Sequence, residues 1–195
     1  MQLDFPLYLL RHGQTDWNRE RRLQGWLETE LNATGRAQAA KQAQLMKDRL
    51  SPSELLPLFS SPLKRAAETA KILGDALGSV PIYDDRLREI QMGAWQGLTH
   101  AEVASRWPDH YSAHKTDFHL SLNTIDGETL AAFACRLDSV LTALAGPSIL
   151  VTHGIALQFI RGRLLGLDLE ATAELGHEQG VIYAIEASQE EIIRA

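Results

Sequence analysis

Cysteine is almost missing from this chain. Cys135 stands alone, so no disulfide can close within the chain, and that suits a reducing compartment such as the cytoplasm. Its neighbours Ala132, Ala134 and Leu137 point to a small core residue rather than a nucleophile. Basic residues are outnumbered, with 19 Lys and Arg against 25 Asp and Glu, a formal net charge of −6. This balance speaks against general nucleic-acid binding, which leaves a basic footprint. It leaves room for an anionic small molecule, because a local cluster of Arg and His can act within an acidic protein. No apolar run approaches the length of a membrane span. Met1-Gln2-Leu3-Asp4 lacks the basic region and apolar core of a signal peptide. Internal repeats, low-complexity tracts and a convincing linker are absent too. What remains is an ordinary globular composition over 195 residues. That is enough for one domain spanning 1–195, with a sizeable core and an insertion.

The chain is organised around Leu7-Tyr8-Leu9-Leu10-Arg11-His12-Gly13. A short apolar run of strand length ends in a cation, an imidazole and a glycine. Gly13 permits a tight turn or a close backbone approach. Ligands of open α/β sheets bind outside the carboxyl ends of the strands, and this is such an end. The same design returns at Ser148-Ile149-Leu150-Val151-Thr152, which ends in His153-Gly154 and leads into a helix over about 155–165.

Between these two stretches the pattern alternates. Arg19 to Trp26 reads as a loop whose Arg22, Gln24 and Gly25 amide are candidate anion contacts. Asn32 or Thr34 caps a helix over about 35–49. Ser51-Pro52-Ser53 breaks the chain before a strand near 56–60. Ser60-Ser61-Pro62 is a strand end, with Pro62 suited to the first turn of the next helix. Arg65, one turn inside, can point back toward the strand ends or lie in solvent. Val80 to Tyr83 is a short strand or edge segment. Glu89 then sits as an isolated carboxylate among apolar residues. Such a group can have a raised pKa and serve as an acid, or it can pair with Arg86 or Arg88.

The stretch 99–125 reads as a lid. Thr99 caps a short helix that Pro108 stops, and Trp107, His110, Tyr111, His114, Phe118 and His119 follow. His110 and His114 have the spacing of a metal pair, but no third ligand follows at comparable spacing, so no metal is expected. Thr129 precedes a helix whose Phe133, Leu137, Val140, Leu141 and Leu144 make one apolar stripe. Residues 181–185 and 191–194 read as terminal strands. Two His-Gly strand ends with Arg11 and Arg65 can converge at one sheet edge, where helix N-termini add amide donors. That pocket fits a phosphate.

At this point the sequence resembles the histidine phosphatase superfamily, in its phosphoglycerate-mutase-like branch. The likeness is carried by Arg11-His12-Gly13-Gln14-Thr15, Trp17-Asn18, Arg22 with Gln24-Gly25, and Leu31 through Gly35. It continues through Ser61-Pro62-Leu63 with Arg65-Ala66, Thr69-Ala70, Leu87, Glu89, Gly93, Trp95, Gly97, Gly127-Glu128 and Val151-Thr152-His153-Gly154. The resemblance implies a three-layer α/β/α sandwich with a mostly parallel central sheet. It also implies a two-step transfer in which neutral His12 becomes a phosphohistidine and water or an acceptor hydroxyl then takes the phosphoryl group. Arg11, Arg65 and His153 would hold the equatorial oxygens, and Glu89 would protonate the leaving oxygen. Asn18, Arg22, Gln24, Gly25 and Gly154 would border the phosphate and its substrate. Neither a cofactor nor a metal is implied, the partner is a small phosphorylated metabolite, and a homodimer stays open.

Two departures bear on activity. Gln14 replaces a Glu found in many relatives, at a position that is not the nucleophile. Ile155 follows His153-Gly154 where glycolytic mutases carry a small polar residue, and this chain is shorter than theirs. Both favour a phosphatase of small phosphomonoesters over mutase-type transfer. A non-catalytic phospho-ligand module would not need both a nucleophile and an acid.

Overall fold

The alternation Leu7-Tyr8-Leu9-Leu10 sends successive side chains to opposite faces of a strand, and both faces are covered. In the computed structural model, which describes residues 3–51 and 54–194, Leu7–Arg11 forms β1. Leu7 and Leu9 enter one hydrophobic cluster, while Tyr8 and Leu10 enter a second on the other face. The other strands are Leu58–Ser60 (β2), Ile82–Tyr83 (β3), Ser148–Thr152 (β4), Ile182–Glu186 (β5) and Gln189–Ile193 (β6). They form one sheet in the order β3-β2-β4-β1-β5-β6. The first four are mutually parallel and β5 and β6 are antiparallel additions. Ala187 and Ser188 join β5 to β6 with φ of 48° and 61°, the left-handed backbone of a tight hairpin.

Helices cover both faces. Ala33–Arg49 (α2) and Lys64–Leu77 (α3) contribute Ala43, Met46, Ala66, Ala70 and Leu73 to the cluster that holds Tyr8 and Leu10. Leu130–Ala143 (α7) and Gly154–Leu165 (α8) contribute Phe133, Leu137, Leu157 and Ile160 to the opposite one. The result is the three-layer sandwich with a mostly parallel sheet. A single turn, Asp16–Arg19 (α1), follows β1, and Leu169–Ala173 (α9) follows α8.

The 99–125 stretch is helical: His100–Arg106 (α4), Pro108–Ser112 (α5) and Asp117–Leu122 (α6). Trp95, Val103 and Leu120 make a small core of its own, while Phe118 and Leu122 sink into the main cluster. Pro108 does not simply end α4. It is the first residue of α5, the position where its missing N–H costs nothing.

Other local expectations are corrected. Pro62 precedes α3 rather than entering its first turn, because the Ser61 N–H still bonds to Val151 O at 3.0 Å and Leu63 is extended. Cys135 is exposed. It sits two residues from both Phe133 and Leu137, so it faces away from their stripe. α1 and α9 were not expected from the pattern. In the break expected at Ser51-Pro52-Ser53, Pro52 and Ser53 lie outside the described residues.

Candidate active site

The parallel register of β1 and β4 sets Arg11 opposite Thr152. Both chains therefore leave the sheet at the same level, and the His12 N–H bonds to Thr152 O at 3.0 Å. The rings of His12 and His153, the residues that follow β1 and β4, meet edge to face with centroids 5.1 Å apart. Gly13 is required by packing, since a Cβ there would collide with the backbone of Gly35 at the start of α2. Arg65 is the second residue of α3 and only 1% exposed, so it points back into the protein. A cavity of about 520 Å³ opens above these groups.

Hydrogen bonding assigns the His12 tautomer. Its Nδ1 lies 2.7 Å from Gly13 O, which can only accept, and its Nε2 lies 3.3 Å from Arg65 Nε, which can only donate. The proton therefore sits on Nδ1 and the lone pair on Nε2. Burial first, then the positive charges of Arg65 and Arg11, hold the His12 pKa well below 6.5. The ring is neutral at neutral pH, and its Nε2 lone pair faces the Arg65 guanidinium.

Arg65 also donates to Leu27 O at 2.9 Å and Gly25 O at 2.8 Å. Three of its five N–H groups are thereby used and two remain. Burial lowers its pKa to about 10, so it stays cationic. Arg11 donates to His177 O at 2.9 Å, and its buried Nε has no partner among the described residues. His153 holds Ser61 Oγ at 2.8 Å through Nε2, and its buried Nδ1 has no such partner. Its pKa is also depressed, chiefly by burial and then by Arg65.

Glu89 is 6% exposed. It is the partner of neither nearby arginine: Arg86 pairs with Asp84 and Arg88 with Asp85. Its Oε1 accepts the N–H groups of Ile90 and Ala156, both at 3.0 Å, and its Oε2 accepts that of Ile155 at 3.1 Å. The carboxylate thus caps the first turn of α8, whose N-cap is His153, a favourable place for an acceptor. Arg136, on α7, holds the backbone of this segment by donating to the carbonyls of Arg86, Arg88 and Glu89 at 2.6–2.9 Å. It is itself gripped by both carboxylate oxygens of Glu128.

Nine of the ten residues singled out in the sequence line the one cavity: Arg11, His12, Asn18, Arg22, Gln24, Gly25, Arg65, Glu89 and Gly154. His153 stands behind His12. Asn18 Oδ1 accepts from the Thr15 N–H and from Gln179 Nε2, and Gln24 Oε1 accepts from the hydroxyls of Thr15 and Thr29. Among the described residues the NH2 group of neither amide has a hydrogen-bond partner. Arg22 is more committed than a free anion contact, since it pairs with Glu20 and Glu102 and donates to Gly97 O at 2.6 Å.

Sequence reasoning missed His177, Gln179, Ser61 as the partner of His153, and Arg136. His177 and Gln179 come from a loop with no periodicity to mark them, though Ser61 lay within a matched motif. Burial, then Arg11 and Arg161, push the His177 pKa down to about 4. His110 Nε2 is taken by Asn123 O at 2.5 Å. Among the described residues no group of three His, Cys, Asp or Glu could hold a metal ion.

A neutral imidazole nucleophile beside the buried guanidinium of Arg65 and the half-buried one of Arg11 suits attack on an anionic electrophile such as a phosphorus centre. Comparisons with known proteins agree. The model of the histidine phosphatase superfamily (branch 1) matches residues 7–193. Glucosyl-3-phosphoglycerate phosphatase of Mycobacterium tuberculosis is 36% identical over 183 residues, covering 87% of this chain and 79% of that protein. A probable phosphoglycerate mutase of Yersinia pestis is 35% identical over 176 residues, with the same coverage of 87% and 79%. The solved structure of a mycobacterial glucosyl-3-phosphoglycerate phosphatase with VO3 superposes with a TM-score of 0.79 at 33% identity, covering 96% of each chain.

Proposed function

This chain belongs to the histidine phosphatase superfamily (branch 1), and from that premise we propose that it hydrolyses small phosphomonoesters through a phosphohistidine on His12. The observation that carries the reading is the neutral His12 ring, with its Nε2 lone pair held beside Arg65 at the floor of the cavity. In the first step Nε2 forms a bond to phosphorus and the P–O ester bond breaks, the leaving oxygen taking its proton from the carboxylic acid form of Glu89. In the second, water attacks phosphorus and passes a proton to the Glu89 carboxylate, and the N–P bond breaks to release phosphate.

Arg11, the two remaining N–H groups of Arg65, and His153 are assigned to the charge on the equatorial oxygens. The amides of Asn18 and Gln24 border the substrate, with Gly25 and Gly154 giving backbone access. The whole chain is read as one domain whose 99–125 helices act as its lid. Among the described residues no helix is long and apolar enough to cross a membrane, and a cytoplasmic enzyme is part of the proposal. The named activity of the mycobacterial relatives supports hydrolysis of a metabolite-sized ester. The relative named as a probable mutase makes transfer to an acceptor hydroxyl the second reading.

A panel of phosphorylated metabolites, scored by phosphate release in the presence of a chelator, tests the proposal. Turnover of at least one ester, unaffected by chelation and lost in His12→Ala, is expected. Silence across the panel and with p-nitrophenyl phosphate would overturn it.

A further inference from the structure

Among the described residues the Arg11 guanidinium is in no ion pair, and its one hydrogen bond runs from Nη1 to His177 O at 2.9 Å. A carbonyl orients a cation without cancelling its charge, which suits a group that must meet a phosphoryl anion. That carbonyl, however, belongs to residues 174–181, a connection between α9 and β5 with no helix or strand of its own. Whatever aims Arg11 has to hold this loop.

The loop is gripped on both sides of His177. Arg161 Nη1, from α8, donates to Gly176 O, and the Tyr183 hydroxyl, from β5, accepts the Glu178 N–H at 2.7 Å. The Glu178 N–H and the His177 carbonyl share one planar trans peptide unit and point opposite ways. Tyr183 and Arg11 thus hold the same rigid unit from its two sides. The Arg161 guanidinium lies over the Tyr183 ring, 3.8 Å from its centroid, so both grips form a single cation–ring stack. Gln158, one turn earlier on α8, donates to Leu175 O at 2.5 Å. Arg161 is 2% exposed and is fixed by both carboxylate oxygens of Glu190 on β6, at 2.7 Å each. Well-packed apolar residues often replace a buried ion pair without loss of stability. They could not replace the N–H that Gly176 O accepts.

We propose that Arg161 is a positioning residue for Arg11. Through Gly176 and the Tyr183 ring it fixes the His177 carbonyl, and through that carbonyl the guanidinium assigned to the phosphoryl oxygens. The inference rests on the phosphatase reading and goes beyond it. Arg161 does not line the cavity, so it touches no substrate and acts only through the loop. Helix α8 then serves the site twice: its first turn holds Glu89, and its middle holds Arg11.

The test is a double-mutant cycle, read as single-turnover nitrophenolate release from p-nitrophenyl phosphate with enzyme in excess. Arg161→Met with Glu190→Leu removes the donor without stranding a carboxylate. Arg161→Lys is the second variant, since it keeps the charge beside Glu190 but loses the fork that also reaches Gly176. With Arg11 intact, either change should slow phosphorylation about ten- to a hundredfold, the scale of a small misplacement at a reacting centre. In the Arg11→Met background the same changes should alter the rate by less than about twofold, because no guanidinium is left to misplace. Equal losses in both backgrounds, as a merely structural role would give, or no loss with Arg11 intact, would overturn the positioning role and leave the phosphatase reading standing. A wild type that releases no nitrophenolate would overturn both.

Discussion

The carboxylate of Glu89 accepts the N–H of Ala156 at 3.0 Å, so the proposed acid and the helix that begins at the second His-Gly pair are one unit. An amide in place of this carboxylate presents one acceptor instead of two to the donors of Ile155 and Ala156.

Glu89→Gln should therefore do two things. It should destabilise the fold by about 1–3 kcal/mol, the cost of unpairing a buried charge-assisted donor, as read from urea unfolding. It should also slow single-turnover phosphorylation by alkyl phosphates about a hundred- to ten-thousandfold, and by p-nitrophenyl phosphate much less, because nitrophenolate leaves without a proton. Equal losses on both esters would reduce Glu89 to its capping role.

Arg136→Met should cost about 3–5 kcal/mol in urea unfolding, because it strands the carboxylate of Glu128, 11% exposed, in the protein interior. The pair Arg136→Met with Glu128→Leu should recover part of that stability but not the activity, since three carbonyls of the Glu89 segment still lose their donor. Full recovery of activity would show that Arg136 does not position Glu89.

Acid should weaken the fold through its buried histidines. His12 and His153 lie well below 6.5 and His177 is lowered to about 4, so the unfolded chain binds their protons first. Stability from these groups is whole above pH 6.5 and is lost as pH falls through that value toward 4. Urea midpoints should drop over this window, and His177→Asn should flatten the slope. Midpoints unchanged between pH 7 and 5 would refute the assignment of neutral, buried rings.

Hydrolysis should outpace transfer. Ile155 is 6% exposed and is the second residue of α8, beside the cavity, and it offers no side-chain hydrogen bond to a second hydroxyl. With 3-phosphoglycerate and its bisphosphorylated primer, phosphate release should exceed interconversion. The reverse would favour the mutase reading.

Much of this arrangement was legible because it depends on strand and cap chemistry. An apolar run that stops at a histidine and a glycine marks a strand end wherever it falls, Thr99 caps as its residue type suggests, and of the two candidates Asn32 and Thr34 it is Asn32 that caps. The unread part is tertiary. Arg136 looks like any helix arginine until α7 packs beside the 86–89 segment. His177 gains its meaning only when its carbonyl meets Arg11, 166 residues away in sequence. Cys135 was misread because neighbours in sequence were taken for neighbours in space, whereas on a helix the residue two positions off the stripe faces outward.

The central claim is that His12 Nε2 takes the phosphoryl group. Rapid-quench labelling with a 32P-phosphomonoester, followed by alkaline hydrolysis and separation of the two phosphohistidine isomers, measures it directly. The Nδ1 proton is engaged by Gly13 O at 2.7 Å, so the label should be alkali-stable, acid-labile, confined to the Nε2 isomer and absent from His12→Ala. Label on Nδ1, or label that persists in His12→Ala, would contradict the account.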